Sequence, residues 1–304
     1  EMHRLSKIAK PDICVMTNIG QCHLENLGTR EGILKAKSEI FDYMNPKGSI
    51  IVNGDDDMLQ RVTTKAESKL IRFGMNPTNE GYASDVMNKG LLGSSAVIHL
   101  GLSVFPIEIP LPGAHMVYNA LAAAAVGNKL GLHKEQIQKG IASVQAVGGR
   151  SNVMALSNYT VIDDCYNANP VSMKAAIDLL TMAVGRKVAV LGDMFELGEN
   201  ECELHAEVGA YAAKKGIDVI VCTGNLSAHM YEGVLDAQET NAQETDVPEM
   251  NVLKAAEKKA VYYFTTREEL LEKLPEILRT GDSILVKASH GMHFETVVEF
   301  LKNK

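Results

Sequence analysis

The stretch that most constrains the fold is Val161 to Pro170, VIDDCYNANP, in a chain of 304 residues. Thr160, Val161 and Ile162 are β-branched, as at the end of a buried strand, and Asp163 and Asp164 stand where a parallel strand would stop. Met173, Ala176, Ile177 and Leu180 then recur at spacings of three, four and seven, which predicts an amphipathic helix. Pro170 fits its first turn, where a missing N–H costs nothing, and Asn169 fits its cap. A strand end, two carboxylates and free helix-start N–H groups make a phosphate-binding corner in an open α/β sheet. Read locally, a capped turn with no ligand explains the stretch equally well.

The rest of the second half repeats this alternation. Strands are predicted at Lys187–Leu191, Val219–Cys222, Ala260–Phe264 and Ser283–Val286, with a helix over about Glu199–Lys215 and a helical pattern after each of the last two strands. Such order argues for a Rossmann-like domain with a mostly parallel sheet. Gly148 and Gly149 precede it as a hinge, and the polar stretch from about Val234 to Asn251, with AQET twice, is expected to be a mobile surface loop.

In the first half, Ile13–Thr17 and Ser49–Asn53 read as strands, and Thr29 as the cap of a helix running to about Met44. Residues 70 to 110 suggest three short strands in IRFGM, SAVIHL and SVFPIEIPL, with a weakly patterned polar segment between Pro77 and Gly93. Leu111–Val126 opens on a glycine turn and continues as an alanine-rich helix that can lie close to a sheet. On the Thr29 helix, Ile33, Ile40 and Met44 share a face with Lys37, while Lys35 points away. A lysine on such a stripe is commonly a snorkelling edge residue. Burial would instead depress its pKa, and a neutral amine can take up carbon dioxide as a carbamate. Asn53 to Asp57, NGDDD, reads as a solvated turn in preference to a metal loop.

Bulk properties narrow the function classes. A length of 304 residues suggests two domains. The net charge of −8 leaves no basic footprint for nucleic acid. Five scattered cysteines without a CxxC pair disfavour a disulfide framework and a zinc site, and point to a reducing cytoplasm. No apolar run is long enough to cross a bilayer as a helix. No G-x-G-x-x-G follows a strand, which ranks a dinucleotide-dependent dehydrogenase last.

The string DDCYNANP, followed by Ser172-Met173 and by LGDMFELG at Leu191–Gly198, resembles the Mur ligases. These are ATP-dependent enzymes that extend the peptidoglycan stem peptide. The likeness is to the MurF type, which joins D-alanyl-D-alanine to UDP-N-acetylmuramoyl-tripeptide. It implies α/β architecture: the remainder of a P-loop-type central ATPase domain over residues 1–149, then a Rossmann-like ligase domain over 150–304. AKSEI at Ala36–Ile40 matches the family pattern whose lysine is carbamylated, which falls on Lys37. His23, in TNIGQCHLE, matches the histidine that helps the modified lysine hold magnesium. By the same likeness Asn119 lies beside the adenine, Arg150 reaches the ATP phosphates, Asp164 meets the ribose, Asn167 belongs to the nucleotide site, and Lys287 is near the reacting phosphate. Asn53 and Asp55 match an asparagine-acid string without an assigned catalytic role. Asp193, Glu196 and His205 fall in or after LGDMFELG, where a polar turn and a helix surface account for them as well as catalysis does.

Met116, Ala288 and His290 depart from the pattern, replacing an asparagine, a glycine and an arginine. Nor does the chain contain the G-x-x-x-x-G-K-[ST] phosphate loop. It reads as a fragment whose front, with the UDP-sugar domain, is missing. Taken alone it is expected to be inactive, with weak nucleotide binding surviving through Asn119 and Asp164. The implied cofactors are ATP and Mg2+, and a monomer is expected. Another amino-acid ligase of the same superfamily and a non-catalytic nucleotide-binding scaffold remain open.

Overall fold

A computed structural model describes residues 1–20, 27–64, 67–244 and 259–304. They form two compact units, Glu1–Gln145 and Ala146–Lys304.

The first unit holds helix α1 (Met2–Ala9), strand β1 (Ile13–Met16), helix α2 (Arg30–Ser38), and strands β2 (Ser49–Asn53), β3 (Lys69–Gly74), β4 (Gly81–Asn88), β5 (Ser94–Leu100) and β6 (Ser103–Ile109). Helices α3 (His115–Lys129) and α4 (Lys134–Ala142) follow. The sheet runs in sequence order, with β1 to β4 parallel and β4, β5 and β6 antiparallel. Alternation of buried and half-buried positions along β5 explains its pairing, since one face covers the core and the other does not. Alanines on α3 let Val117, Leu121 and Ala124 sit fully buried against Phe73, Ile98 and Phe105.

Two expectations for this unit need correction. The polar segment after Pro77 contains β4, whose second half is exposed and therefore carries no alternation to read. A register shift between Ser84 and Met87, with Asp85 at φ 51°, breaks its pairing with β5. The helix capped by Thr29, whose side chain accepts from Gly32 N, stops at Ser38 and tightens into a single 3-10 turn at Glu39–Phe41, short of Met44.

The second unit comprises β7 (Asn152–Ala155), β8 (Thr160–Asp163), α5 (Pro170–Thr181), β9 (Lys187–Gly192), α6 (Glu201–Lys214), β10 (Val219–Thr223), α7 (Ser227–Glu244), β11 (Ala260–Phe264), α8 (Arg267–Ile277), β12 (Ser283–Lys287) and α9 (Glu295–Lys302). Its sheet order is β11-β10-β9-β12-β8-β7, parallel throughout except for the β7–β8 hairpin. Strand β12 is thus inserted between β8 and β9, and it is buried along its whole length, as is β10. Such strands read as unbroken apolar runs because both faces are covered.

Helix α7 overturns part of the mobile-loop expectation for 234–251: the chain is helical to Glu244, and 245–258 lie outside the described residues. Met230, Val234 and Ala237 supply the buried stripe, at spacings of four and three. Glycines bring α7 against α6. A Cβ on Gly209 would lie 1.9 Å from Met230 O, and one on Gly233 would lie 2.2 Å from Ala206 O.

Candidate functional site

The parallel strands β8, β12 and β9 end side by side, and the polar residues picked out of the sequence in this unit gather at those ends. Register pairs Val286 with Asp163 and Lys287 with Leu191, so the last residue of β12 stands between the acidic end of β8 and the turn after β9. The Lys287 side chain is only 2% exposed. Its Nζ donates to Asp164 Oδ2 at 2.6 Å and to the Asn167 carbonyl at 3.0 Å, with the Asp164 carbonyl at 3.5 Å. The ammonium is therefore spent within the loop after β8. That loop is closed further by Asn167 Oδ1, which accepts from Ala168 N at 2.8 Å, although the Asn167 side chain is exposed.

Asp163 and Asp164 also hold the segment that precedes β7. Gly149 N donates to Asp163 Oδ2 at 2.9 Å and Ser151 N to Asp164 Oδ1 at 2.8 Å, while Tyr166 N donates to Gly149 O at 2.9 Å. Arg150 lies between these anchors and is exposed. Its guanidinium carbon lies over the Tyr166 ring, 4.0 Å from the centroid. Among the described residues no carboxylate lies within ion-pair distance of it. The His290 ring, on the turn after β12, meets Tyr166 at 5.4 Å. Helix α5 starts as expected, with Pro170 in its first turn and Asn169 Oδ1 accepting from Ser172 N at 2.9 Å, while Ser172 Oγ accepts from Asn169 N.

Asp193 and His205 are buried, contrary to the polar-turn and helix-surface reading, whereas Glu196 is exposed, as that reading expects. Asp193 Oδ1 accepts from Ser227 N at 2.7 Å and from Ser227 Oγ at 2.6 Å, capping α7. Gly224 at φ 117° makes room, because a Cβ there would lie 2.4 Å from Asp193 Oδ1. His205 is fully buried. Its Nε2 accepts from Met194 N at 2.9 Å, so Nδ1 carries the proton and donates to Glu201 O at 2.7 Å. Burial lowers its pKa, with the Glu201 carbonyl opposing.

The sign follows from protons bound. Below the ordinary histidine value the unfolded chain protonates while folded His205 stays neutral, so its contribution is present above that value and is lost as pH falls toward the lowered one. We expect His205→Gln to flatten the acid limb of a thermal-stability profile between pH 7 and 5. An unchanged limb would refute the assignment.

In the first unit, Lys37 is half-buried near the end of α2, Lys35 is exposed, and Lys37 Nζ donates to Asn18 O at 3.4 Å. His23 lies outside the described residues. Asn119 is exposed on α3 and its Nδ2 contacts Met116 Sδ at 3.4 Å, so the methionine that departs from the pattern is the asparagine's own neighbour.

The acids after β2 are a solvated turn only at Asp57, which is exposed, while Asp55 and Asp56 are half-buried. Asp55 accepts from Met75 N, Asn79 Nδ2 and Tyr118 Oη. Asp56 accepts from Ile19 N at 2.9 Å and from Met58 N and Leu59 N. Asp57 takes a bidentate contact from Arg30, whose Nε donates to Ile19 O. Local spacing could not show these uses, since each partner is remote in sequence except the two N–H groups capped by Asp56.

Among the described residues no group of three or more His, Cys, Asp or Glu side chains is placed to hold a metal ion. Of the pair expected to hold magnesium, Lys37 is described and His23 lies outside the described residues. No helix among them is long and apolar enough to cross a membrane.

Comparison with known proteins places these features in a wider group. The family model described as the Mur ligase middle domain matches residues 1–127, and that described as the Mur ligase, glutamate ligase domain, matches 149–290. A UDP-N-acetylmuramoyl-tripeptide–D-alanyl-D-alanine ligase of Bacillus subtilis is 36% identical over 99% of this chain and 61% of its own length. A crystal structure of MurF from Acinetobacter baumannii superposes with a TM-score of 0.84 at 30% identity, over 100% of this chain and 62% of that one. MurF ligase from Thermotoga maritima, solved in complex with ADP, has a TM-score of 0.76 at 26% identity, covering 99% of this chain and 64% of that one. The chain therefore spans less than two thirds of the length of these relatives.

Proposed function

The chain belongs to the Mur ligase family, and from that premise we propose that it is the nucleotide-using and ligase portion of an enzyme that joins D-alanyl-D-alanine to UDP-N-acetylmuramoyl-tripeptide. The end-to-end likeness to ligases of that substrate pair carries the proposal. Residues 1–149 are read as the central ATP-binding domain and 150–304 as the ligase domain.

In the proposed reaction a substrate carboxylate attacks the terminal phosphate of ATP to give an acyl phosphate and ADP. The dipeptide amine then displaces phosphate and forms the amide. Such chemistry depends on positioning and charge neutralisation. Arg150 suits the second task, since its guanidinium is held on an aromatic face with no carboxylate competing for its donors among the described residues. Lys287 and Asp164 act by shaping the loop that presents Asn167 and Tyr166, because their charges meet each other at 2.6 Å. Magnesium, bound with the nucleotide, would supply further charge neutralisation, and His23 and Lys37, the latter as its carbamate, are the proposed residues for it. A cytoplasmic monomer that binds neither nucleic acid nor membrane completes the reading.

The test is phosphate release by the gene product that contains this chain. Release should require ATP, UDP-N-acetylmuramoyl-tripeptide and D-alanyl-D-alanine together. Equal release with a single amino acid in place of the dipeptide would move the protein to another branch of the family. The 304-residue chain assayed by itself is expected to give no amide product, since it contains no G-x-x-x-x-G-K-[ST] loop to cradle the phosphates. Product formed by the pure chain would overturn that expectation.

A further inference from the structure

We propose that Tyr166 is a positioning residue that holds the Arg150 guanidinium in place for the phosphate chain of a nucleotide. The inference rests on the reading of Arg150 as a phosphate-facing cation, and adds the device that orders it. An exposed arginine samples many rotamers, and each must be frozen when an anion binds. Here the freezing is largely done beforehand. Backbone hydrogen bonds anchor both neighbours of Arg150, Gly149 to Asp163 and Ser151 to Asp164.

The aromatic ring is delivered to the same place by a third bond, from Tyr166 N to Gly149 O. Approach of the two segments is close enough that a Cβ on Gly149 would lie 3.2 Å from Tyr166 Cβ, and Gly149 has a φ of 75° that favours glycine. The guanidinium then rests 4.0 Å from the ring centroid, within the range of a cation–π contact. A guanidinium seated over a ring uses its cationic face there and leaves its N–H donors to meet an oxyanion. Two neighbouring charged pairs are committed to each other: Asp164 pairs with Lys287, and His293, whose ring is 6.3 Å from that of His290, pairs with Glu295.

The experiment uses the 304-residue chain with inorganic pyrophosphate as the probe, measured by calorimetry, and with Arg150 Nε–Hε relaxation measured by NMR. Tyr166→Leu should weaken pyrophosphate binding about two- to fivefold, the size of an exposed cation–π contact. It should also increase the fast motion of the Arg150 side chain. Tyr166→Phe, which keeps the ring, should restore both. In an Arg150→Gln background the Tyr166→Leu change should have no further effect, because a residue that acts only through the arginine has nothing left to position.

Equal losses in the two backgrounds, unaltered Arg150 relaxation, or a wild-type chain that does not bind pyrophosphate would each overturn the proposal. Because Tyr166 is 47% exposed, the leucine variant is expected to fold, and its melting curve checks this. None of these readouts involves turnover. The ligase assignment therefore stands or falls separately, on phosphate release by the gene product.

Discussion

Lys287→Met is expected to destabilise the second unit by roughly 3–5 kcal/mol, the cost of stripping one partner from a buried ion pair. The lysine is among the largest fully buried side chains of the described residues, and its ammonium meets Asp164 Oδ2 and the Asn167 carbonyl. Methionine fills a similar volume but leaves the Asp164 carboxylate, itself only 14% exposed, facing an apolar thioether. Asp164 would retain Ser151 N at 2.8 Å and a long contact from Ser151 Oγ at 3.5 Å, two neutral donors against a lost charge pair.

Urea unfolding followed by hydrogen exchange at amides of β8, β12 and the loop between β8 and α5 measures the loss. Adding Asp164→Asn to Lys287→Met removes the stranded charge and should recover part of it. A lysine whose business was only with a bound phosphate would be dispensable in the free protein. A loss below about 1 kcal/mol would accordingly reject the structural role argued for Lys287.

That pair also marks where reading the sequence succeeded and where it stopped. The start of α5 was legible because its signals are local: β-branched residues before Asp163, then Asn169 and Pro170 at cap and first turn. The parallel sheet was legible for the same reason, since buried strands such as β10 and β12 spell unbroken apolar runs. Asp164 and Lys287 were each singled out, yet as separate ligand contacts. Their union spans 123 positions and depends on β12 returning between β8 and β9, a strand order that no local pattern carries.

The contact of Arg150 with Tyr166 escaped for a related reason, because it needs Gly149 to cross over the loop after β8. His205 escaped by resembling a surface position on a helix, although α7 and the Met194 turn bury it. In β4 the exposed half removed the alternation, and in α7 polar residues on the free face hid a stripe of Met230, Val234 and Ala237. Pattern reports burial, so elements with one wet face and mixed composition are the ones it loses.

The acidic run after β2 makes the second strong prediction, Asp55→Ala, with an expected loss of roughly 2–4 kcal/mol in the first unit, since bonds to a charged acceptor run near 1.5–3 kcal/mol each and do not add fully. Asp55 ties three segments together. Its own turn is fixed by Asp55 N donating to Asn53 Oδ1 at 3.0 Å. Its carboxylate takes Met75 N and Asn79 Nδ2 from the turn after β3, and Tyr118 Oη, at 3.2 Å, from α3. Glycines admit this interlock: a Cβ on Gly74 would lie 2.5 Å from Asp55 Cγ, and one on Gly54 would lie 1.9 Å from Asn79 Oδ1.

Tyr118 gives the knot a spectroscopic handle. Burial raises its pKa above the ordinary tyrosine value, and the charge of Asp55 and the hydrogen bond to it raise it further. Asp55→Asn removes the charge while keeping the shape, so the Tyr118 phenol should ionise at lower pH than in the wild type, with Tyr118→Phe identifying its absorbance among the nine tyrosines. The sign for stability follows as well. Tyr118 holds its proton longer folded than unfolded, so its contribution fades as pH rises through the raised value. If the Asp55→Asn chain titrated Tyr118 unchanged, the carboxylate would not be the acceptor, and the Asp55→Ala loss would need another cause.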